Sequence, residues 1–499
     1  MKKILILLTA LTLLMWMPSA LATQAAAEPI QVTVFHTNDV HARVDTSAGM
    51  GYAMAAGFVN AERAAGKDVL LLDAGDTFHG MPFATISRGE TIVDILNAMQ
   101  YDAMAPGNHD YNYGMDRLFE LKGMLSFPVL CCNLVDKDGK PAMQPYTIKE
   151  FEDGVRIGII GADNPEIATA LRPSTFEKFH LADGVEAVKA AVQELKDQTD
   201  AVIVLTHWGT SGVTNPSDVL AKIEGVDLVV DGHSHDAFET GYKVEGGATI
   251  VSTGEYLKNL GKVTLTIEDH KVTGVDAALI PAPTVYQDAG ILDTIKTIQS
   301  EQDQKLSEVI GSTSVNLNGE RADVRTKETN LSNILCDAMV AATGADVALT
   351  NGGGIRASIE AGDITKKDVV TVLPFGNLVV TKKVTGAQLI EAIEHGIRLY
   401  PDQNGGFPQV GGCAYTFDPS KEAGSRLVTL TVGGQPVDET KEYVLATNDF
   451  MADGGDGYDM LAAGPVLTYY GGLEEVLISY IQSGAALPAE PDGRISPVA

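Results

Sequence analysis

From residue 29 to about 285, short apolar runs alternate with segments whose apolar residues recur at helical spacing. The runs include DVLLLDAGD (68–76), RIGIIGAD (156–163), AVIVLTHWG (201–209) and VDLVVDGHSH (226–235). Between them lie TIVDILNAMQ and GVEAVKAAVQELKDQ. Continuous apolar runs read as strands buried on both faces, and the 3.6-residue period reads as amphipathic helices. Their alternation predicts an α/β layered domain over 29–285. PAPTVYQDAG then breaks the pattern with prolines. ILDTIKTIQSEQDQKLSEVIG follows as one amphipathic helix, expected to connect two domains across 286–308. From 309 to 499 a second unit mixes helices (NLSNILCDAMVAAT, TGAQLIEAIEHGI) with strands (DVALT, LVTLTV, EYVLAT).

The first residues, MKKILILLTALTLLMWMPSALA, have a different pattern: two lysines, an apolar run and a small-residue cleavage site ending at Ala22. This reads as an export signal over 1–22, the run being short for a membrane span. The mature protein is therefore expected to be periplasmic or extracellular. No cysteine follows the cleavage point to carry a lipid, and no second long apolar run lies near the C-terminus, so no membrane anchor is expected.

Charge narrows the partners. The chain carries 36 basic and 66 acidic residues, a formal net charge of -30. Nucleic-acid polymers and anionic membranes would be repelled. An anionic small molecule would need a local positive centre, either a metal or clustered arginines. The 4 cysteines (Cys131, Cys132, Cys336 and Cys413) show no C-x-x-C spacing. A cysteine metal site is not indicated; export makes disulfides possible without specifying their pairing, and buried free thiols are expected in FPVLCCNL.

The chemistry lies at the ends of the apolar runs. Five of them finish in small residues and ligand-type side chains: VFHTNDVH, LLLDAGD, YDAMAPGNHD, VIVLTHWG and LVVDGHSH. They supply Asp39, His41, Asp76, Asn108, His109, His207, His233 and His235. Alternation along the strand predicts that Asp39 and His41 emerge on the same side. One such segment is an ordinary polar turn. Strand ends of an open α/β sheet, however, converge on one edge, where ligands bind. Imidazoles, carboxylates and a carboxamide together suit borderline divalent metals. Eight groups exceed one tetrahedral site, so two ions sharing a carboxylate fit better. Such a pair activates water and clamps the oxygens of an in-line displacement at phosphorus.

The series D-x-H, GD, GNHD, H and GHSH resembles the calcineurin-like metallophosphoesterase superfamily. With NGGGIR (351–356), PFGN (374–377) and NDFMADGGDGY (448–458) in order, it resembles the exported two-domain 5'-nucleotidase family. The resemblance implies a four-layer α/β/β/α domain followed by an α+β substrate domain. It implies two divalent ions (zinc, manganese or cobalt), one held by Asp39, His41, Asp76 and His235. Asp76, Asn108, His207 and His233 would hold the other, Asp76 bridging. His109 would assist at the phosphoryl group. Its usual aspartate partner is replaced by Asn112, expected to orient the imidazole by accepting its N–H. Asp110 is expected to be structural.

For the second unit the resemblance implies that Arg321, Arg325 and Arg356 hold anionic or ribose groups. Spacing puts Arg321 and Arg325 on one face if they are helical, which a solvated basic face would equally explain. Asn351 and Asn377 are implied at the nucleoside, Phe375 and Phe450 would sandwich the base, and Asp456 would accept from ribose hydroxyls. The activity implied is hydrolysis of nucleoside 5'-phosphates by hydroxide generated at the metals. The alternatives are a 2',3'-cyclic-nucleotide phosphodiesterase, a UDP-sugar pyrophosphatase, or a binding protein without catalysis. Nothing in the sequence specifies an oligomeric state.

Overall fold

The structure, a computed structural model, describes residues 29–166, 178–211, 213–282 and 286–498. The expected export signal lies outside the described residues. Strands Ile30–Thr37, Asp68–Asp73 and Ala103–Met104 run parallel in one sheet. The antiparallel pair Asn259–Glu268 and Lys271–Pro281 completes it. That hairpin turns at Asp269 and His270, both at positive φ, as a two-residue turn between right-twisted strands requires. A second sheet is built around Arg156–Asp163, Ala201–His207, Leu228–Val230 and Thr249–Val251, all parallel.

The two sheets pack face to face, and alternation along each strand explains how. Val32, Val34, Leu70 and Leu72 meet Ile157, Ile159, Ile203 and Leu205 in one buried cluster. The alternate residues Phe35, Val69 and Leu71 face outward onto the helices Gly51–Ala64, Glu90–Met99 and Met115–Met124. On the other side Ile160, Val202 and Val204 pack on the helix Gly184–Leu195. The result is the four-layer α/β/β/α arrangement. Strands buried on both faces read as unbroken apolar runs, which is why these segments lack a polar face.

The helix expected as a connector spans Ala289–Leu306. It is not a free spacer: Ile291, Ile295 and Ile298 are buried in the core of the first domain. The second domain has a mixed five-stranded sheet, ordered Pro408–Gly411, Val347–Asn351, Glu442–Asn448, Leu378–Thr385 and Val466–Gly472. Ala348 and Ala446 face the helices Asn330–Thr343 and Leu473–Gln482, whereas Val347, Leu349 and Leu445 face Gly386–Gly396 and a second, four-stranded sheet. All four cysteines are free and buried. Among the described residues no helix is long and apolar enough to cross a membrane.

Candidate metal centre and substrate cleft

Strand Ile30–Thr37 ends two residues before Asp39. Asp39 and His41 both lie beyond it at positive φ (50° and 49°). Their convergence therefore comes from a turn, not from strand alternation as expected. Two backbone bonds tie this turn to the next strand end, from Asp39 N–H to Gly75 O (2.9 Å) and from His41 N–H to Asp76 O (2.9 Å). Asp76, His233 and His235 share the left-handed backbone (φ 56°, 74° and 55°). Backbone held there at non-glycine residues costs energy that the surrounding bonds must offset, and here it falls on five of the donor residues.

Asp110 is structural, and its part is large. Its buried carboxylate accepts from the backbone N–H groups of Asp76, Thr77, Phe78 and Gly107, fixing the GD and GNHD loops to each other. Two glycines complete the cradle. A Cβ on Gly107 would stand 2.3 Å from Asp76 Oδ1, and one on Gly232 2.7 Å from His207 Nδ1. Neither position admits a side chain without displacing a donor.

The donors then meet. His207 Nε2 lies 3.1 Å from Asp76 Oδ2 and 3.7 Å from Asp39 Oδ1. His41 Nε2 is 3.8 Å from Asp76 Oδ2, and His235 Nε2 is 3.3 Å from Asp39 Oδ1. His233 Nδ1 is 2.9 Å from Asn108 Oδ1. Three sets of donor atoms lie close enough to share an ion: Asp39–His41–His235, His41–Asp76–His109 and Asp39–Asp76–His207.

One atom tests whether metal fits. His207 is fully buried, and its Nδ1 sits 2.6 Å from the Ala74 carbonyl, which only accepts, so Nδ1 carries the proton. Its Nε2 makes no hydrogen bond and points at two carboxylates. Two buried carboxylates facing this nitrogen call for positive charge at that point, which a bound cation would supply. The electrostatics agree. Burial would lower the His207 imidazole, yet Asp76 and Asp39 hold it well above its usual value. Burial would raise the Asp76 carboxyl, but His207 and His109 hold it well below the usual range. Burial lowers His41 and His233 to about 4, which keeps both neutral and able to ligate.

His109 N–H donates to Asp76 Oδ1 (2.8 Å), and its Nε2 lies 4.0 Å from Asp76 Oδ2. Asn112 meets His109 Nδ1 at 3.1 Å through its amide nitrogen. Its Oδ1 is buried without a hydrogen-bond partner, and the amide turned over would accept from Nδ1–H, so in either sense the contact orients the ring. His109 Nε2 is the ring nitrogen turned toward Asp76, and the residue lines the cleft.

Across a cleft of about 950 Å³ lie residues of the second domain: Arg325, Arg356, Asn351, Asn377, Phe375, Phe450 and Asp456. Phe375 and Phe450 are 46% and 44% exposed, so neither is a core residue. The Arg356 guanidinium lies 5.4 Å from the centre of the Phe375 ring. Asn351 Nδ2 donates to Asp456 Oδ2 (2.8 Å), and Asn377 Nδ2 to Asp449 Oδ1 (2.8 Å). Arg321 is exposed and does not line the cleft. It precedes Arg325 across the short helix Arg321–Val324.

Comparison with known proteins decides the family. Residues 32–237 match the family described as Calcineurin-like phosphoesterase, and residues 309–463 match 5'-nucleotidase, C-terminal domain. The protein UshA of Escherichia coli is 30% identical over 93% of this chain and 94% of its own length. The chain belongs to the 5'-nucleotidase family. The trifunctional nucleotide phosphoesterase YfkN of Bacillus subtilis is 31% identical over 86% of the chain, which spans only 32% of that longer protein. A crystal structure of a 5'-nucleotidase precursor from Thermus thermophilus is 30% identical, with a TM-score of 0.56 over 94% of this chain and 99% of that one. As a member of the 5'-nucleotidase family the protein is a phosphoesterase that uses two divalent metal ions and acts on nucleotides.

Several cleft residues escaped the sequence reading. Glu255 accepts from His235 Nδ1 (2.9 Å), Arg43 stacks over Tyr256 (4.0 Å), and Tyr469 meets the His109 ring edge-on (5.1 Å). Burial would raise the Glu255 carboxyl, but His235 and Lys258 hold it at about 2. A signal for Glu255 was present: TIVSTGEY is a sixth apolar run ending in a glycine and a ligand-type residue.

Proposed function

We propose that the protein is an exported 5'-nucleotidase that hydrolyses nucleoside 5'-monophosphates to nucleoside and phosphate. The observation that carries this is the shared cleft: metal donors form one wall, and paired phenylalanines with Asp456 and two arginines form the other. We assign Asp39, His41, Asp76 and His235 to one ion, and Asp76, Asn108, His207 and His233 to the other. When bound, the ions supply Lewis acidity and acidify water for in-line attack at phosphorus. Arg325 and Arg356 bring positive charge to an acidic protein and draw in the anionic substrate. Phe375 and Phe450 stack on the base, which every base permits. Asp456, pinned by Asn351, accepts from ribose hydroxyls. His109 is placed to donate from Nε2 to the leaving oxygen, its ring oriented by the contact between Asn112 and Nδ1.

The test is a substrate panel of AMP, ADP, ATP, UDP-glucose and 2',3'-cyclic AMP, with manganese, zinc or cobalt. AMP is expected to give the highest kcat/KM. A preference for the cyclic nucleotide or UDP-glucose would replace this reading by one of the alternatives on the same scaffold. Residues 1–22 are proposed as the removed signal. N-terminal sequencing of protein recovered outside the cytoplasm should start beyond Ala22.

A further inference from the structure

The donors of the two ions differ in their access to water. His207 and Asp39 are inaccessible, and His41 is 13% exposed, whereas the His235 side chain is 38% exposed. An exposed ligand on a left-handed loop residue needs something to hold its ring, or the ion it serves exchanges easily. His235 has such a hold. Its Nδ1 lies 2.9 Å from Glu255 Oε2, while its Nε2 faces Asp39. The other Glu255 oxygen accepts from Lys258 Nζ at 2.6 Å.

Glu255 is itself placed by the loops of the centre. Gly254 O accepts from Asn38 Nδ2 (2.8 Å), Gly254 N–H donates to Asp236 O (3.0 Å), and Tyr256 N–H donates to Asp39 O (2.8 Å). The backbone on each side of Glu255 is thus bonded to neighbours of Asp39 and His235. A surface carboxylate paired by chance with a histidine would lack these ties.

We propose that Glu255 is a positioning residue that fixes the tautomer and ring orientation of His235 and sets the affinity of the Asp39–His41–His235 ion. The proposal rests on the assignment of those three residues as ligands. A carboxylate that accepts the remote N–H of a ligating imidazole aligns the ring and increases its basicity. Lys258 keeps that carboxylate from swinging inward. The ion bound here is then retained despite the open face of the site, and borderline ions that favour imidazole, such as zinc or cobalt, gain over manganese.

The test is chelator titration of the full-length cobalt-loaded protein, following metal content and visible absorption. The wild type is expected to hold two ions. Glu255→Gln should release one of them at a chelator concentration roughly 10–100-fold lower, with the second unchanged. The cobalt bands of the released ion should shift even when it is saturated. Glu255→Asp should fall between the two and remains informative if Glu255→Gln folds poorly, which melting of the metal-free proteins reports. In Glu255→Gln/His235→Gln the loss should match that of His235→Gln alone, because one acts through the other. Equal retention in Glu255→Gln and wild type, or additive losses in the double variant, would overturn the proposal. A wild type that never holds two ions would overturn the ligand assignment beneath it.

Discussion

At the residue scale the centre depends on side chains that meet only because the backbone around them is forced. Asp76 is the clearest case, lying within 4.0 Å of His41, His109 and His207. Asp76→Asn removes the charge that the two ions would share under the proposed assignment. We expect kcat to fall by at least about 10²-fold and bound metal to fall below two ions per chain by elemental analysis. Full activity with two ions present would contradict the bridging assignment. Asn112 gives a second prediction. An aspartate in its place would accept from Nδ1 and favour the imidazolium. In Asn112→Asp the alkaline limb of the pH–rate profile should move to higher pH, since the protonated ring persists further. No movement of that limb would mean that residue 112 does not set the His109 tautomer.

At the scale of elements, the strand ends and the short helix Asp449–Ala452 do the positioning. Asp449 begins that helix and accepts from Asn377 Nδ2, Leu378 N–H and Phe450 N–H. One half-buried carboxylate thereby ties the Phe375 loop to the Phe450 loop. Replacing both phenylalanines by alanine should raise KM for AMP roughly tenfold or more, since stacking is worth about 1–3 kcal/mol per base. Hydrolysis of p-nitrophenyl phosphate, which has no nucleobase, should change little. Equal losses on both substrates would show that the rings support the fold instead.

At the scale of the whole molecule the two domains meet beside the cleft through a buried acid. Glu474 opens the helix Leu473–Gln482 of the second domain and accepts from Thr85 Oγ1 of the first (2.9 Å). Burial pushes its carboxyl up to about 8, and the neighbouring Glu475 adds to the rise. A carboxyl raised in the folded state favours its neutral form. Its stabilisation is complete below the unfolded value, near ~4.3, and is lost as pH climbs through about 8. Glu474→Gln should therefore leave the melting temperature unchanged near pH 5 and raise it by about 2 °C at pH 9. A variant that melts at the same temperature as the wild type at pH 9 as well as at pH 5 would place the acid in water. Dissociation of this contact at high pH also predicts faster proteolysis of the wild type between the domains.

The sequence by itself determined the elements and the donor types. The 3.6-residue period found Asn330–Thr343, and unbroken apolar runs found Arg156–Asp163 and Ala201–His207, because local pattern and burial agree there. It also showed that carboxylates, imidazoles and a carboxamide follow strand after strand. It missed the hairpin Asn259–Pro281: KVTLTIE alternates buried apolar and more open polar positions, but the partner strand Lys271–Pro281 is mostly open and alternates weakly. Only the tertiary structure decided how the donors meet. Asp39 and His41 turn through left-handed backbone that no period encodes, and Asp110 binds loops more than thirty residues apart. Glu255, Asp449 and Glu474 act through partners distant in sequence, to which a one-dimensional pattern is blind. The cleft itself exists because two separately folded cores bring their strand ends and loops to face each other across one space.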